Sequence, residues 1–307
     1  MTGTSRQWPG RKVVVTVELP LVVGVDGSDS SLEAVDWAVD EAARLGLPLR
    51  LVHASLWERY EGGLPSFGTD RPAEEVMAEH VAASCAERAR LRDPEVKVSS
   101  DVLPDDPVSA LLHAAHESSV LVTGSRGRGG IAGMLLGSVS LTVAARAVCP
   151  VVVVRGAERN RQGSLGRVVV GLGDSTEGSA AVRFAFREAE ARGCGLHAVR
   201  AWRRPTPEHV DHPLIADGAA GAGEEHALAL LADALRDAAG SHPQVEVRRQ
   251  AVEGPAHKVL LDASSEADLV VVGARRRHGH VGLQLGRVAH TLLHHAGCPV
   301  AVVPQRA

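Results

Sequence analysis

The chain is written twice. Leu21-Val-Val-Gly24-Val-Asp26-Gly-Ser28 returns as Val168-Val-Val-Gly171-Leu-Gly173-Asp-Ser175, an offset of 147 (168 − 21). Val120-Leu-Val-Thr-Gly124-Ser-Arg126 returns as Leu269-Val-Val-Val-Gly273-Ala-Arg275, and Cys149-Pro-Val-Val-Val-Val154 as Cys298-Pro-Val-Ala-Val-Val303, both at 149 (269 − 120 and 298 − 149). Leu51-Val-His53-Ala-Ser-Leu-Trp57 is echoed by Leu196-His-Ala-Val-Arg-Ala-Trp202 at 145 (196 − 51). The order is preserved, and the period is far longer than that of solenoid repeats, so it marks duplicated domains. With 307 residues there is room for two domains of ordinary size. Apolar residues are 45% and aromatics only 3%, so both cores must be built from Val, Leu, Ala and Ile.

Each copy alternates strand and helix patterns. In the first, Leu21–Val25, Leu49–His53, Val120–Thr123 and Pro150–Val154 are short apolar runs of strand length. Val96–Val102 alternates, as a strand nearer an edge does. Between them lie helix patterns: from Ser28–Ser31 to Gly46, from Arg71 to Arg92, from Asp105 or Asp106 to His116, and from Gly137 to Val148. Near-continuous Val and Leu runs between helices mean strands buried on both faces. The expected fold is therefore α/β, two tandem doubly wound parallel five-stranded sheets with helices on both faces. Residues 1–18 are expected to be a mobile extension, 19–155 and 167–304 the two domains, and 156–166 a polar linker. The apolar last strands, Val151–Val154 and Val300–Val303, would be exposed edges unless paired. That predicts an intrachain pseudo-dimer of the halves, with a homodimer as a further step.

Several classes are disfavoured. The net charge is −4 with no block of like charges, so nucleic acid is not an expected partner. No stretch reads as a membrane span or as a secretory leader, so the expected location is the cytoplasm. Cys85, Cys149, Cys194 and Cys298 are far apart and read as reduced thiols. His113 with His116 and His294 with His295 are candidate metal ligands, but no carboxylate or Cys cluster completes a set, and no metal site is expected.

In open parallel sheets ligands bind at the carboxyl ends of the strands, where strand order reverses. Three features of the first half converge there. The first strand ends at Gly24, Val25 and Asp26, the second near the small Ala54, and the fourth at Thr123 and Gly124. Gly124 opens a loop, Gly124-Ser-Arg126-Gly127-Arg128-Gly-Gly130, that runs on to Gly137, Ser138, Val139 and Ser140 at a helix start. Glycines let backbone amides come close to an anion, and a helix N-terminus attracts one. Ser138 and Ser140 add hydroxyls, and Arg126 and Arg128 positive charge. Asp26 suits sugar hydroxyls or a metal carried by phosphates, but a helix cap with Ser28 is the alternative. The Walker pattern and the dinucleotide fingerprint are both missing.

These residues resemble the universal stress protein family. Its nucleotide-binding members carry Gly, two residues, Gly, nine residues, then Gly followed by Ser or Thr; Gly124, Gly127, Gly137 and Ser138 fit this pattern. The resemblance covers about 19–155 and again 167–304 and is similar to tandem actinobacterial members. It implies ATP, with Mg accompanying it. Adenine would lie near Gly24, Val25, Ala54 and Thr123, and the phosphates near Gly127, Gly137, Ser138, Val139 and Ser140. In the second half Gly173 stands where Asp26 stood, Arg276 replaces the second loop glycine and Arg287 the Ser after Gly286. That half is expected to bind ATP weakly or not at all.

Trp57 and Trp202 are expected to pack against long helices. No residue near the loop reads as a poised general base, so the resemblance implies a nucleotide-dependent stress-response regulator working through an unknown protein partner. Slow ATP hydrolysis is compatible with that. The alternatives are an ATP-hydrolysing or adenylyl-transferring enzyme of the same fold, which Val25-Asp-Gly-Ser-Asp-Ser30 echoes only loosely, or a nucleotide-free scaffold.

Overall fold

The computed structural model describes residues 19–56, 73–127, 136–173, 179–203, 213–275 and 285–305. The first half runs β1 Leu21–Gly24, α1 Asp29–Leu45, β2 Leu49–Ala54, α2 Ala73–Arg92, β3 Val98–Leu103, α3 Pro107–Ala114, β4 Val120–Gly124, α4 Ser138–Arg146 and β5 Val151–Val154. After a short helix, α5 Glu158–Arg161, the order repeats. It runs β6 Arg167–Gly171, α6 Ser179–Arg192, β7 Gly195–Trp202, α7 Pro213–Ser241 and β8 Val247–Glu253, then α8 Ala256–Ser264, β9 Leu269–Arg275, α9 Arg287–His295 and β10 Val300–Gln305.

Local chemistry sets the element ends. Ser28 caps α1 by accepting from the Ser31 amide at 3.3 Å, and Gly46 ends it in the left-handed conformation at φ 66°. Asp106 caps α3 by accepting from Val108 and Ser109 N–H, both at 3.1 Å, with Pro107 behind it in the first turn.

The strands form one ten-stranded sheet in the order β3-β2-β1-β4-β5-β10-β9-β6-β7-β8. Pairing is parallel within each half, and β5 and β10 join the halves antiparallel, with Val151 opposite Val302 and Val153 opposite Val300. The two expected sheets are thus one sheet, closed at the strands expected to pair. All four β5 residues are buried. The outer edges are hydrophilic instead: Ser99 and Ser100 on β3 and Arg248 and Arg249 on β8 are exposed, which discourages further strand addition. Two apolar layers flank the sheet. One holds Val35, Trp37 and Val39 of α1 with Phe184 and Phe186 of α6, and the other Leu111, Val143, Leu292 and Leu293 of α3, α4 and α9.

The junction is folded rather than a simple tether. Asn160 of α5 is 1% exposed and donates to the carbonyls of Ser265 at 3.1 Å and Ala267 at 2.8 Å, while Arg161 pairs with Glu33 of α1 at 3.0 Å. The Asp268 carboxylate accepts from the Leu165 and Arg167 amides at 2.9 and 3.0 Å.

The sheet register corrects one sequence alignment. Val25 N donates to the Val52 carbonyl, and Leu172 N to that of Val199. The β2–β7 offset is therefore 147 (199 − 52) rather than 145. Arg200 stands where His53 stands, and Trp202 where Ser55 stands, not opposite Trp57. Trp202 does lie on a long helix: a Cβ at Gly223 of α7 would come within 2.8 Å of its ring. Trp57 and residues 1–18 lie outside the described residues. All four cysteines are free, and burial pushes the Cys149 and Cys298 thiols up, away from the reactive thiolate. No helix among the described residues is long and apolar enough to cross a membrane.

Candidate functional site

In the order 3-2-1-4-5 the order of strand addition reverses between β1 and β4, which is where an open parallel sheet leaves a crevice. A cavity of about 350 Å³ opens there, within the range of small-molecule sites. Gly24, Val25 and Asp26 from the end of β1, Ala54 from β2, and Thr123, Gly124 and Gly127 from β4 and its loop all line it. So do Gly137, Ser138, Val139 and Ser140 at the start of α4. Arg128 lies outside the described residues. Arg126 reaches the rim.

The glycines here are demanded by close approach. A Cβ at Gly127 would stand 2.6 Å from Asp26 Oδ2, and one at Gly124 2.5 Å from the Ser30 carbonyl oxygen. The loop backbone therefore lies against both the Asp26 carboxylate and the first turn of α1. The Ser30 hydroxyl accepts from the Arg126 amide at 3.1 Å, and the Gly137 amide donates to the Ser125 carbonyl at 2.8 Å, which brings the two ends of the loop together. Gly137 is the N-cap residue of α4 and offers no side-chain cap. The first amides of the helix, Ser138 to Ser140, are thus left for a ligand or water, with the helix dipole behind them.

Two alternatives for Asp26 resolve into one geometry. Ser28, not Asp26, caps α1, while Asp26 Oδ1 accepts from the Ser28 amide at 3.0 Å and hydroxyl at 2.6 Å. The carboxylate is thereby fixed, with Oδ2 facing Gly127. One expectation needs correcting. The Ser140 hydroxyl donates to the Gly124 carbonyl at 2.7 Å and is buried, so its proton is not available to a phosphate. Thr123 differs: it is 3% exposed, lines the cavity, and its Oγ1 has no hydrogen-bond partner among the described residues. A buried hydroxyl left this way favours a polar ligand atom or a water.

Sequence reasoning missed part of the lining. Pro107 and Leu111 of α3, with Val52 and Leu136, add apolar lining to the cavity. The only signal was the spacing of Pro107 and Leu111 on one helix face just after a cap. His53 was also missed as a lining residue. Its Nδ1 sits 2.7 Å from the Val25 carbonyl, a contact that requires the proton on Nδ1. Among the described residues no group of three or more His, Cys, Asp or Glu side chains is arranged to hold a metal ion.

The same place in the second half is built differently. Gly173 has no carboxylate to offer, and Arg200, 8% exposed, donates a guanidinium N–H to the Gly173 carbonyl where His53 meets that of Val25. Leu260 presses closer than its counterpart: a Cβ at Gly171 would come 2.4 Å from its methyl, against 2.9 Å from that of Leu111 for Gly24. Gln305 crowds Gly273, at 2.6 Å from the position of a Cβ. Arg287 is exposed at the first turn of α9, and Arg276 lies outside the described residues.

Comparison with known proteins agrees with this architecture. A profile described as the Universal stress protein family matches residues 20–155 and again 165–304. Universal stress protein Rv2005c of Mycobacterium tuberculosis is 33% identical over 304 residues, covering 93% of this chain and 97% of that one. A universal stress protein of Mycolicibacterium smegmatis is 32% identical over 298 residues, covering 94% and 98%. The crystal structure of a universal stress protein from Archaeoglobus fulgidus superposes with a TM-score of 0.65 at 19% identity, over 94% of this chain and 98% of the other. The chain belongs to the universal stress protein family, in a tandem form.

Proposed function

We propose that the first half binds ATP, with Mg accompanying the phosphates, and that the protein acts in the cytoplasm as a nucleotide-dependent stress-response regulator read by a protein partner. The domains in this reading are residues 19–155, which bind ATP, and 167–304, which bind it weakly or not at all. The observation that carries it is the convergence of the Asp26 carboxylate, the Gly127 backbone and the uncapped start of α4 on one cavity with an apolar wall. Adenine fits between Ala54, Thr123 and Leu111. Ribose hydroxyls suit Asp26, and the phosphates suit the amides of Ser138, Val139 and Ser140. Among the described residues, the acid–base side chains lining the cavity are Asp26 and His53. Asp26 Oδ1 is held by Ser28 and His53 Nδ1 by a carbonyl, so the lining favours holding a nucleotide over turning it over.

A second copy of the chain would have to dimerise through a surface other than β5 and β10, which already pair with each other. The test is nucleotide content. The purified protein is denatured, released nucleotide is identified by chromatography, and ATP is titrated into wild type, Gly127→Glu and Asp26→Ala. One ATP per chain, lost in Gly127→Glu, supports the reading. Two per chain overturns the silent second half. No nucleotide and no binding leaves a scaffold, and steady multiple-turnover release of phosphate or pyrophosphate makes it an enzyme.

A further inference from the structure

Glu41 of α1 and Glu188 of α6 are equivalent residues of the two halves, 147 apart (188 − 41), and they meet where these helices cross the junction. Both side chains are 1% exposed. One buried guanidinium serves both: Arg192 Nη2 is 2.5 Å from Glu41 Oε2 and 3.5 Å from Glu188 Oε2, and Arg192 is itself 6% exposed and lies over the Trp37 ring. Two further cations stand at the margin. Arg44 is 3.1 Å from Glu41 Oε2 with 26% of its side chain exposed, and Arg187 is 3.3 Å from Glu188 Oε1 with 43% exposed. Cys194 and Asp268 act on Arg192 from the strand side, and the linker turn at Gly163 covers Arg44 and Arg192.

Two ionised carboxylates and one buried guanidinium leave an excess negative charge where water does not reach, and partly solvated cations compensate it poorly. The Glu41 Oε1 atom is also buried and receives no N–H or O–H from any described residue. The two carboxyl groups stand side by side, both against the same Arg192 Nη2. A single proton eases this, because a protonated Glu188 cancels one charge and can donate to the Glu41 carboxylate.

We propose that Glu41 and Glu188 share one proton at neutral pH, so that the contact between the two halves is itself a proton-binding site. Burial, and then the neighbouring Glu41 charge, push the Glu188 carboxyl well above its ordinary 4.5. Burial pushes Glu41 up as well, but Arg192, the Glu188 hydrogen bond and Arg44 together hold it low. The proton belongs to the pair. Since the folded state keeps a proton that the unfolded chain gives up near 4.5, its stabilising effect is complete below that pH. It is lost as pH rises through the pair's folded pKa.

Infrared spectroscopy of the full chain at neutral pH reads the proton directly, as the carbonyl stretch of a protonated carboxylic acid. The wild type is expected to show it and Glu188→Gln to lack it. The wild-type thermal midpoint should fall by roughly 2 °C per pH unit across the window above about pH 4.5. Glu188→Gln, whose amide still donates to Glu41 but cannot titrate, should lose that slope. A wild type without the acid band, an acid band unchanged in Glu188→Gln, or a variant with the wild-type slope would each overturn the proposal. The spectroscopic test on the wild type stands even if the variant does not fold.

Discussion

The two clefts of this molecule sit at matching places in one continuous sheet and differ in a handful of side chains. In the first, Asp26 faces the Gly127 backbone across an open cavity, and His53 is tethered to the wall by its Nδ1. In the second, the carboxylate is replaced by Gly173, the imidazole by Arg200, and the Ser at the helix start by Arg287. The exchange reverses the local charge and adds bulk, while the surrounding helices keep their order. The two halves thus share a scaffold and differ at the clefts. In the first cleft the close contacts tolerate no side chain, because a Cβ at Gly124 or Gly127 meets backbone or a fixed carboxylate at 2.5 or 2.6 Å.

The sharpest way to break the comparison is to make the first cleft as crowded as the second. Gly127→Glu places a Cβ against Asp26 Oδ2 and a second carboxylate in the phosphate region. Like-charge repulsion and lost volume should together weaken ATP by at least about 100-fold, measured by calorimetric titration. The fold should survive, since the substitution lies in a surface loop. Asp26→Ala comes next. It removes a charged acceptor, typically worth about 1.5–3 kcal/mol, or roughly 10- to 100-fold in affinity. It also frees Ser28, so circular dichroism should be recorded alongside to confirm that α1 is intact. Equal ATP affinity in Asp26→Ala and wild type would remove Asp26 from the site and leave the two clefts less different than argued.

Much of this was legible in the residues. Val-rich runs such as Val151–Val154 gave strands within a residue or so of their ends, because a strand buried on both faces has little other composition open to it. The glycine spacing placed the loop and the start of α4. What escaped depends on contacts distant in sequence. Leu111 becomes a cavity wall only when α3 packs on β2 and α4 and brings it against Gly24. Ser140 looks like a free donor until the turn brings the Gly124 carbonyl to it, 16 residues back. Nothing local in the sequence marks Glu41 and Glu188 as buried, because the two meet across 147 residues of chain (188 − 41). The 145-residue echo around Trp57 and Trp202 misled for a related reason: similar letters two places out of register outweighed the pairing that the hydrogen bonds impose.

Thr123→Val gives a finer comparison, since Val272 occupies the matching strand position in the second half (272 − 149 = 123). The substitution keeps shape and removes only the unpartnered hydroxyl, so the protein should be as stable as wild type or slightly more so. Thermal unfolding without ligand reads this. ATP affinity should fall about 5-fold if Oγ1 meets the base, the ordinary value of one neutral hydrogen bond. Inorganic tripolyphosphate, which has no base, should bind both proteins alike.

The smallest effect is expected from rebuilding the second cleft. Gly173→Asp with Arg200→His restores the carboxylate and relieves the guanidinium, but Leu260 still presses on Gly171 and Arg276 and Arg287 remain in the chain. In the Gly127→Glu background, where the first cleft is silenced, the double variant should gain only millimolar ATP binding. Adding Arg276→Gly and Arg287→Ser should improve it by roughly tenfold as bulk leaves the loop and the helix start. A double variant that already binds as well as the first cleft would mean that two side chains account for the whole divergence. A quadruple variant with no binding would place the difference in the backbone, at Gly171 and Leu260, where drift has closed the space itself.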